Sequence, residues 1–236
     1  MDYFIENRFP YKDYIGKSLL VVGGGPSTLD VNWNNLDVDY IWSCNGFYLN
    51  DKVSSVDLDL VALGNLQDWN HPNLTTYLEE HSNTKILLET NYLYPDKLSK
   101  NKLFMDSNKG RVYQGQLAKD ATGIVGPPAR LMVLACCIGI KDLYFVGIDG
   151  FDPQLKNTHA FTKEEGLKPE AVHNTYEKYL KDHTFFAKSI YEKFGNRVNF
   201  HNLGEKSKAH NIISITSKQH FPLDEKVLEI LGKSSR

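Results

Sequence analysis

The stretch that most constrains the fold is residues 17–30, which read KSLLVVGGGPSTLD. A short apolar run that ends in glycine and proline is typical of a buried strand followed by a tight turn. Glycine in such a turn allows positive φ angles and lets a ligand approach the backbone amides. The hydroxyl of Ser27 can cap the element that follows, and amides at a helix start favour a phosphate. The alternative is a glycine-rich turn that binds no ligand.

Other apolar runs of the chain also end in small polar residues or glycine. Residues 40–45 lead into Gly46, residues 58–63 lead into Gly64 and Asn65, and residues 85–88 form a weaker strand. The carboxyl ends of parallel strands behave in this way when they line a ligand crevice. We therefore expect Asn45 and Asn65 to lie at the same edge of a sheet as the glycine turn.

The second half of the chain contains the clearest supersecondary pattern. Residues 129–140 are apolar on nearly all sides and predict a buried helix. After a short turn, residues 143–148 predict a buried strand that delivers Asp149 at its tip. A helix, a short turn and a central strand are typical of an α/β fold, here a Rossmann-like doubly wound, mostly parallel sheet. We expect a single domain over residues 1–236, with a lid or insertion at about 151–172.

Three further segments are assigned by pattern. Residues 1–16 predict a leader that packs along the surface, and residues 95–125 predict a loop or insertion, because they lack a clean period. Residues 173–194 have helical periodicity, and residues 197–203 predict a last strand.

Composition excludes several classes of function. The net charge of −2 gives no basic field for nucleic acid, and no apolar run reaches the length of a membrane span. The three cysteines cannot all pair, which predicts buried free thiols in a reducing compartment. The beginning of the sequence lacks a signal-peptide pattern, so we expect a cytoplasmic protein.

Motif searches exclude further chemistry. The chain has neither GxxxxGK(S/T) nor GxGxxG, so neither ATP nor dinucleotide binding follows from the glycine turn. No HExxH, zinc-type cluster or GxSxG is present, which leaves a metal site and a hydrolase elbow unsupported.

A few polar residues remain as candidates for chemistry. Asp149 ends a buried strand, where a carboxylate is not needed for packing; its alternative role is to cap the next turn. Asn45 and Asn65 offer amide donors and acceptors for a base or ribose, although asparagine is also a common turn former. His173 and His183 can act as general acid or base near neutral pH, or can be ordinary helix histidines.

Four segments together resemble a known family. VVGGGPSTLD, SCNGFYLND, LVALGN and IKDLYFVGIDGFD occur in the order seen in the bacterial sialyltransferases of glycosyltransferase family 42. The match spans about residues 18–161. The same turn and a later GxD…THA pattern also resemble the MptE-like (domain of unknown function 115) group, which includes pterin diphosphokinases. These motifs do not decide between the two branches.

The resemblance to the sialyltransferases implies roles for individual residues. It implies that the turn cradles the donor phosphate, that the two asparagines contact the nucleotide, and that the strand-tip residues approach the donor sugar. It also implies a histidine base upstream of the last long helix, for which His183 is preferred and His173 is kept. The implied nucleotide and donor-binding residues are Gly23, Gly24, Gly25, Pro26, Ser27, Asn45, Asn65, Gly126, Asp149, Gly150, Phe151 and His159.

Two departures from the family pattern affect these roles. Gly126, Pro127 and Pro128 stand where the family has TSG, and proline lacks an amide donor. Phe151 and His159 stand near the positions of a tyrosine pair that stabilises the leaving phosphate in the family.

The resemblance therefore gives three hypotheses. The first is a glycosyltransferase that moves a nonulosonic acid such as sialic acid from a CMP-activated donor to a surface-glycan acceptor in lipopolysaccharide or capsule biosynthesis. It would work by inverting displacement and would require no cofactor or metal. The second is a pterin diphosphokinase that uses ATP and Mg²⁺, with Asp149 and Asp152 as metal ligands. The third is a catalytically inactive nucleotide-binding module. The expected partners are a nucleotide-sugar and a glycan acceptor, with peripheral membrane association and homo-oligomer formation as further expectations.

Overall fold

The fold was analysed in a computed structural model of the chain. It describes residues 4–5, 8–64, 69–89, 101–116, 126–149, 185–186 and 189–204. The strands are β1 (Phe4–Ile5), β2 (Ser18–Val22), β3 (Tyr40–Cys44), β4 (Leu60–Leu63), β5 (Lys85–Glu89), β6 (Val112–Gln116), β7 (Asp142–Val146) and β8 (Asn199–Asn202). The α-helices are α1 (Asp51–Ser54), α2 (Pro72–Glu80), α3 (Lys102–Ser107) and α4 (Pro127–Ile138). Residues 185–186 and 189–194 are also helical.

All eight strands belong to one sheet in the order β1-β6-β5-β4-β3-β2-β7-β8. Only the pairing of β1 with β6 is antiparallel among these strands, and the other pairs are parallel. From β2 the chain moves outward to β6 and then returns to the opposite side of β2 to form β7 and β8. The switch point of the topology therefore lies between β2 and β7, where open α/β sheets bind ligands at the carboxyl ends of their strands.

Alternation along the strands gives the sheet two buried faces. On β2, Leu19 and Val21 belong to the core beneath α4, whereas Leu20 and Val22 belong to the core beneath α1 and α2. Burial on both faces explains why these strands are continuous apolar runs. The predicted α/β, Rossmann-like doubly wound and mostly parallel sheet is confirmed.

Helix α4 crosses the sheet next to the switch point. Pro127 stands in its first turn, where the missing amide hydrogen costs nothing, and Gly139 ends it with a φ of +98°. The predicted helix 129–140 is thus confirmed with its ends moved two residues toward the amino terminus.

Two predictions about the ends of the sheet were wrong. Residues 101–116 contain α3 and β6, so much of the predicted loop at 95–125 is regular structure within the sheet. The predicted surface leader contributes β1 to the sheet edge, and it buries Phe9 and Tyr14 in the core beneath α4. Tyr14 packs against the rings of Tyr40 and Trp42, so aromatic packing holds this segment on the sheet.

The described cysteines have no disulfide partner: Cys44 and Cys136 are buried, and Cys137 is partly buried. Among the described helices, none has both the length and the hydrophobicity needed to cross a membrane.

Candidate functional site

The glycine turn after β2 is joined to the loop after β7 by a series of hydrogen bonds. The amides of Gly23 and Gly25 donate to the carbonyl oxygens of Val146 and Gly147, each at 2.8 Å. In the other direction, the Gly147 amide donates to Oγ of Ser27 at 2.8 Å. The two loops therefore continue the pairing of β2 and β7 beyond the end of the sheet.

Glycine is required in both loops because their backbones touch. A Cβ added to Gly23 would lie 2.2 Å from the carbonyl oxygen of Gly147, and one added to Gly147 would lie 2.5 Å from that of Gly23. Gly147 also has a φ of +69°, in the left-handed region. Gly23 and Gly147 thus allow close packing between the two loops.

Asp149, which follows β7, also contacts the glycine turn. Its Oδ2 accepts a hydrogen bond from the Ser27 amide at 2.7 Å, and the residue is 5% exposed. Its other oxygen, Oδ1, is buried without a hydrogen-bond partner among the described residues. Burial raises the pKa of Asp149 to about 6, although the hydrogen bonds with Ser27 act in the opposite direction.

The glycine turn is also held from the β3 side. Thr28 is fully buried, and its hydroxyl donates to the carbonyl oxygen of Gly25 at 2.9 Å. The same hydroxyl accepts from Nδ2 of Asn50 at 2.9 Å, and Oδ1 of Asn50 caps α1 by accepting from the Lys52 amide. The turn after β2 therefore depends on the segments that follow both neighbouring strands.

These contacts determine which amides of the turn can meet a ligand. The amides of Gly23, Gly25 and Ser27 already donate within the protein, and Pro26 has none. Gly24 is partly exposed, and its amide has no hydrogen-bond partner in the described part of the chain. Among the amides of this turn, that of Gly24 is therefore open to a ligand, while those of Gly23, Gly25 and Ser27 hold the turn in shape. Ser27 does not cap the 3-10 helix Pro26–Asp30 as predicted, because Gly25 occupies the N-cap position and Ser27 lies within the helix. Its hydroxyl accepts from the Gly147 amide instead.

Asn45 lies where β3 ends, at the same sheet edge as the glycine turn. It has a φ of +48°, the left-handed conformation that asparagine tolerates better than most residues. Its Oδ1 accepts from the Gly64 amide at 3.0 Å, which links the ends of β3 and β4. With its oxygen engaged, the partly exposed side chain offers its NH₂ group as the remaining hydrogen-bonding group.

Gly126 lies at the start of α4, where it precedes Pro127 and Pro128 with an extended φ of −63° and ψ of 173°. The two prolines begin the helix without amide donors. The donor contact that the resemblance implies at this position therefore lacks the amide hydrogens of residues 127 and 128.

Several predicted site residues lie outside the described residues, so their roles stay predictions. These are Asn65, Gly150, Phe151, His159, His173 and His183, together with Asp152 and the lid at 151–172. In the part of the chain that is described, no group of three or more His, Cys, Asp or Glu side chains could hold a metal ion.

Sequence reasoning missed four residues that build the site. Each of them contacts the glycine turn or a side chain that holds it: Thr28, Asn50, Gly147 and Gly204. The GID sequence after β7 was a usable signal for Gly147, because a glycine directly after a buried strand indicates a close backbone approach. Nothing in the local sequence marks Thr28 and Asn50, since their partners are distant in the chain.

Comparisons with known proteins were made by sequence and by structure. No protein-family description matches the chain, and no curated protein matches it by sequence. Solved structures do match. The sialyltransferase CstII from Campylobacter jejuni, in complex with the substrate analogue CMP-3FNeuAc, has a TM-score of 0.55 at 17% identity over 86% of this chain and 88% of that chain.

Two further structures give the same picture. A CstII variant in complex with CMP has a TM-score of 0.56 at 14% identity, and CstII in complex with a trisaccharide acceptor and CMP has a TM-score of 0.55 at 14% identity. Each alignment covers 93% of this chain and 89% of that chain. This chain has the sialyltransferase fold. The resemblance to glycosyltransferase family 42 that the motifs predicted is thereby confirmed at the level of the fold.

Proposed function

We propose that the protein is a glycosyltransferase that uses a CMP-activated sugar, with a nonulosonic acid such as sialic acid as the transferred group. The observation that carries this proposal is the glycine turn at the switch point between β2 and β7, which hydrogen bonds to the loop after β7 hold in place. This turn lies in a fold shared with sialyltransferases that were solved in complex with CMP or with the substrate analogue CMP-3FNeuAc. The turn presents one open amide, that of Gly24, at the edge where a donor phosphate would be expected.

The proposed reaction is a direct displacement with inversion. An acceptor hydroxyl oxygen forms a bond to the anomeric carbon while the bond from that carbon to the CMP phosphate oxygen breaks and its electron pair leaves with CMP. The hydroxyl proton passes to a histidine, for which His183 is the first candidate and His173 the second. The Gly24 amide and the Asn45 NH₂ group are the described donors that can stabilise the charge of the departing phosphate.

The wider setting follows from the same proposal. We infer a surface glycan as acceptor, a cytoplasmic location with peripheral association at the inner face of the membrane, and assembly of several copies. No metal takes part in the proposed step. In the MptE-like alternative, Mg²⁺ would be bound by Asp149 and Asp152, but the Asp149 carboxylate is enclosed by protein and one oxygen is already bound to the Ser27 amide.

A thermal-shift panel is the first test. CMP, CDP, UDP, GDP and ATP are each added with Mg²⁺ and with EDTA, because a ligand that binds the folded state alone raises the melting temperature. Stabilisation by CMP or CDP that survives EDTA supports the transferase. Stabilisation by ATP that disappears with EDTA instead supports the diphosphokinase, and the absence of any shift contradicts a nucleotide site at the glycine turn.

Turnover is tested with CMP-sialic acid by measuring release of CMP with and without a glycan acceptor. His183→Ala and His173→Ala are compared with His220→Ala, a histidine outside the predicted site. We expect the loss of the base to lower kcat by about 10²–10⁴-fold while CMP still binds. Tight CMP binding without any turnover in the unsubstituted protein would instead support the inactive nucleotide-binding module, in agreement with the prolines at the start of α4.

A further inference from the structure

The carboxylate of Asp149, which follows β7, is enclosed by the segments that follow β2 and β8. A Cβ added to Gly25, after β2, would lie 2.3 Å from Oδ2, and one added to Gly204, after β8, would lie 3.3 Å from Oδ1. Ser27 supplies the hydrogen bond to Oδ2. With 5% of the residue exposed, the carboxylate lies behind the glycine turn and is covered by it.

We propose that Asp149 is a positioning residue, which holds the glycine turn in its ligand-facing conformation through the Ser27 amide and does not itself touch the donor. This inference rests on the proposed function for the identity of the ligand. It differs from the role that the family resemblance implies for Asp149, which is contact with the donor sugar.

Ser27 is fixed at two atoms, which is why this role is physically reasonable. Its amide donates to Asp149 and its hydroxyl accepts from Gly147, while the Gly25 amide donates to the Gly147 carbonyl oxygen. Gly24 therefore stands beside residues that are tied to the β7 loop, and its open amide has little freedom to turn. A charged acceptor gives a stronger hydrogen bond than a neutral carbonyl, and low local dielectric strengthens it further.

Burial of the Asp149 carboxylate is unfavourable in free energy, which is not expected of a residue that serves packing alone. Its Oδ1 is buried without a partner among the described residues, and burial raises the pKa of the group. A carboxylate retained under such conditions at the edge of a ligand crevice favours a functional role over a packing role.

Asp59 provides a matched control. Its Oδ2 accepts from the Ile41 amide at 2.7 Å, and burial raises its pKa as well. Because Asp59 directly precedes β4 and contacts the first half of β3, it stands at the amino ends of the strands, at the opposite edge of the sheet from the glycine turn. Asp59→Asn therefore repeats the chemical change of Asp149→Asn at a distance from the site.

The test uses the full chain with Asp149→Ala, Asp149→Asn and Asp59→Asn, and it has two readouts. Hydrogen–deuterium exchange of residues 23–28 without ligand measures how firmly the glycine turn is held, and calorimetry with CMP measures binding. We expect Asp149→Ala to speed exchange at the Ser27 amide and to raise the Kd for CMP about tenfold or more. Asp149→Asn, which keeps an acceptor oxygen, should show a smaller change in both, and Asp59→Asn should leave both unaltered.

Two results would overturn the positioning role. The first is unchanged exchange at residues 23–28 in Asp149→Ala, or in Asp149→Asn if the alanine variant does not fold. If CMP binding is lost while exchange stays unchanged, Asp149 contacts the ligand directly. The second is faster exchange with an unaltered Kd for CMP, which would mean that the hold of Asp149 on the turn does not govern binding. If the unsubstituted protein binds no CMP, the proposed function fails separately, and exchange alone decides the role of Asp149.

Discussion

Gly147→Ala should destabilise the protein much more than the same substitution at Gly16. Both glycines have nearly the same φ, +69° and +71°, so both variants carry the cost of an L residue in the left-handed region, about 1–2 kcal/mol. They differ in the space around the new methyl group. At Gly16 nothing lies within 4 Å of it, whereas at Gly147 it would lie 2.5 Å from the carbonyl oxygen of Gly23.

The extra cost at Gly147 follows from the nature of its neighbour. The contact is with backbone, which cannot move aside as the end of a flexible side chain can, so the two loops must separate. Overpacking of this kind typically costs about 1–3 kcal/mol. We therefore expect a difference in the free energy of unfolding of about 1–3 kcal/mol between Gly147→Ala and Gly16→Ala.

Urea unfolding, monitored by circular dichroism, measures this difference in the free energy of unfolding. With a slope of about 2–3 kcal/mol per molar urea, the midpoints of the two variants should differ by about 0.3–1.5 M. Gly147→Ala should also weaken CMP binding, whereas Gly16→Ala, at the amino end of β2, should leave it unaltered. Equal midpoints would refute the close contact between the two loops.

Three further outcomes are expected. Asn45→Asp should still accept from the Gly64 amide, but it replaces the NH₂ group by an oxygen. The Kd for CMP should therefore rise about tenfold or more, with little change in melting temperature. Equal CMP binding by this variant and the unsubstituted protein would refute a contact through the NH₂ group. The pKa of Asp149 is raised to about 6 in the folded state from an ordinary value of 3.8, so its ionisation should disfavour the folded state increasingly as pH rises from about 4 to 6. Stability of the unsubstituted protein relative to Asp149→Asn should therefore fall by up to about 3 kcal/mol across that window, and parallel pH profiles would contradict it. Cys137 should react with a thiol reagent before Cys136, because Cys137 is partly exposed and Cys136 is buried. Burial raises the pKa of both thiols, so exposure decides the order, which peptide mapping after brief labelling checks.

The central part of the fold was predictable because apolar runs without interruption specify buried parallel strands. Strand β2 coincides with the apolar run that precedes the glycine turn. The helix predicted at 129–140 begins and ends two residues earlier, because a proline can begin a helix and Gly139 ends it. Strand β6 was missed because its sequence, VYQGQ, has no apolar run. The buried aromatic residues Phe9 and Tyr14 were missed because they are separated by polar residues and follow neither strand nor helix periodicity.

The position of the candidate site was more predictable than its chemistry. The ends of β2, β3 and β7 lie at one edge, as parallel strands require, and this edge carries the glycine turn, Asn45 and Asp149. The sequence could not show that the amides of Gly23, Gly25 and Ser27 are used within the protein. That depends on the loop after β7, and no local pattern describes a contact between segments so far apart.

The separation along the chain between these two loops has a consequence for biosynthesis. Ser27 is bound by residues that follow it by 120 and 122 positions, so a ribosome must release about that many further residues before the turn can acquire its contacts. Strands β2 to β6 can pair earlier, because each lies beside its neighbour in sequence. Contacts over long sequence separations form late, since their loop-closure entropy must first be overcome. We therefore expect truncated nascent chains that end before β7 to hold part of the sheet without nucleotide affinity, so that CMP binding reports completion of the fold.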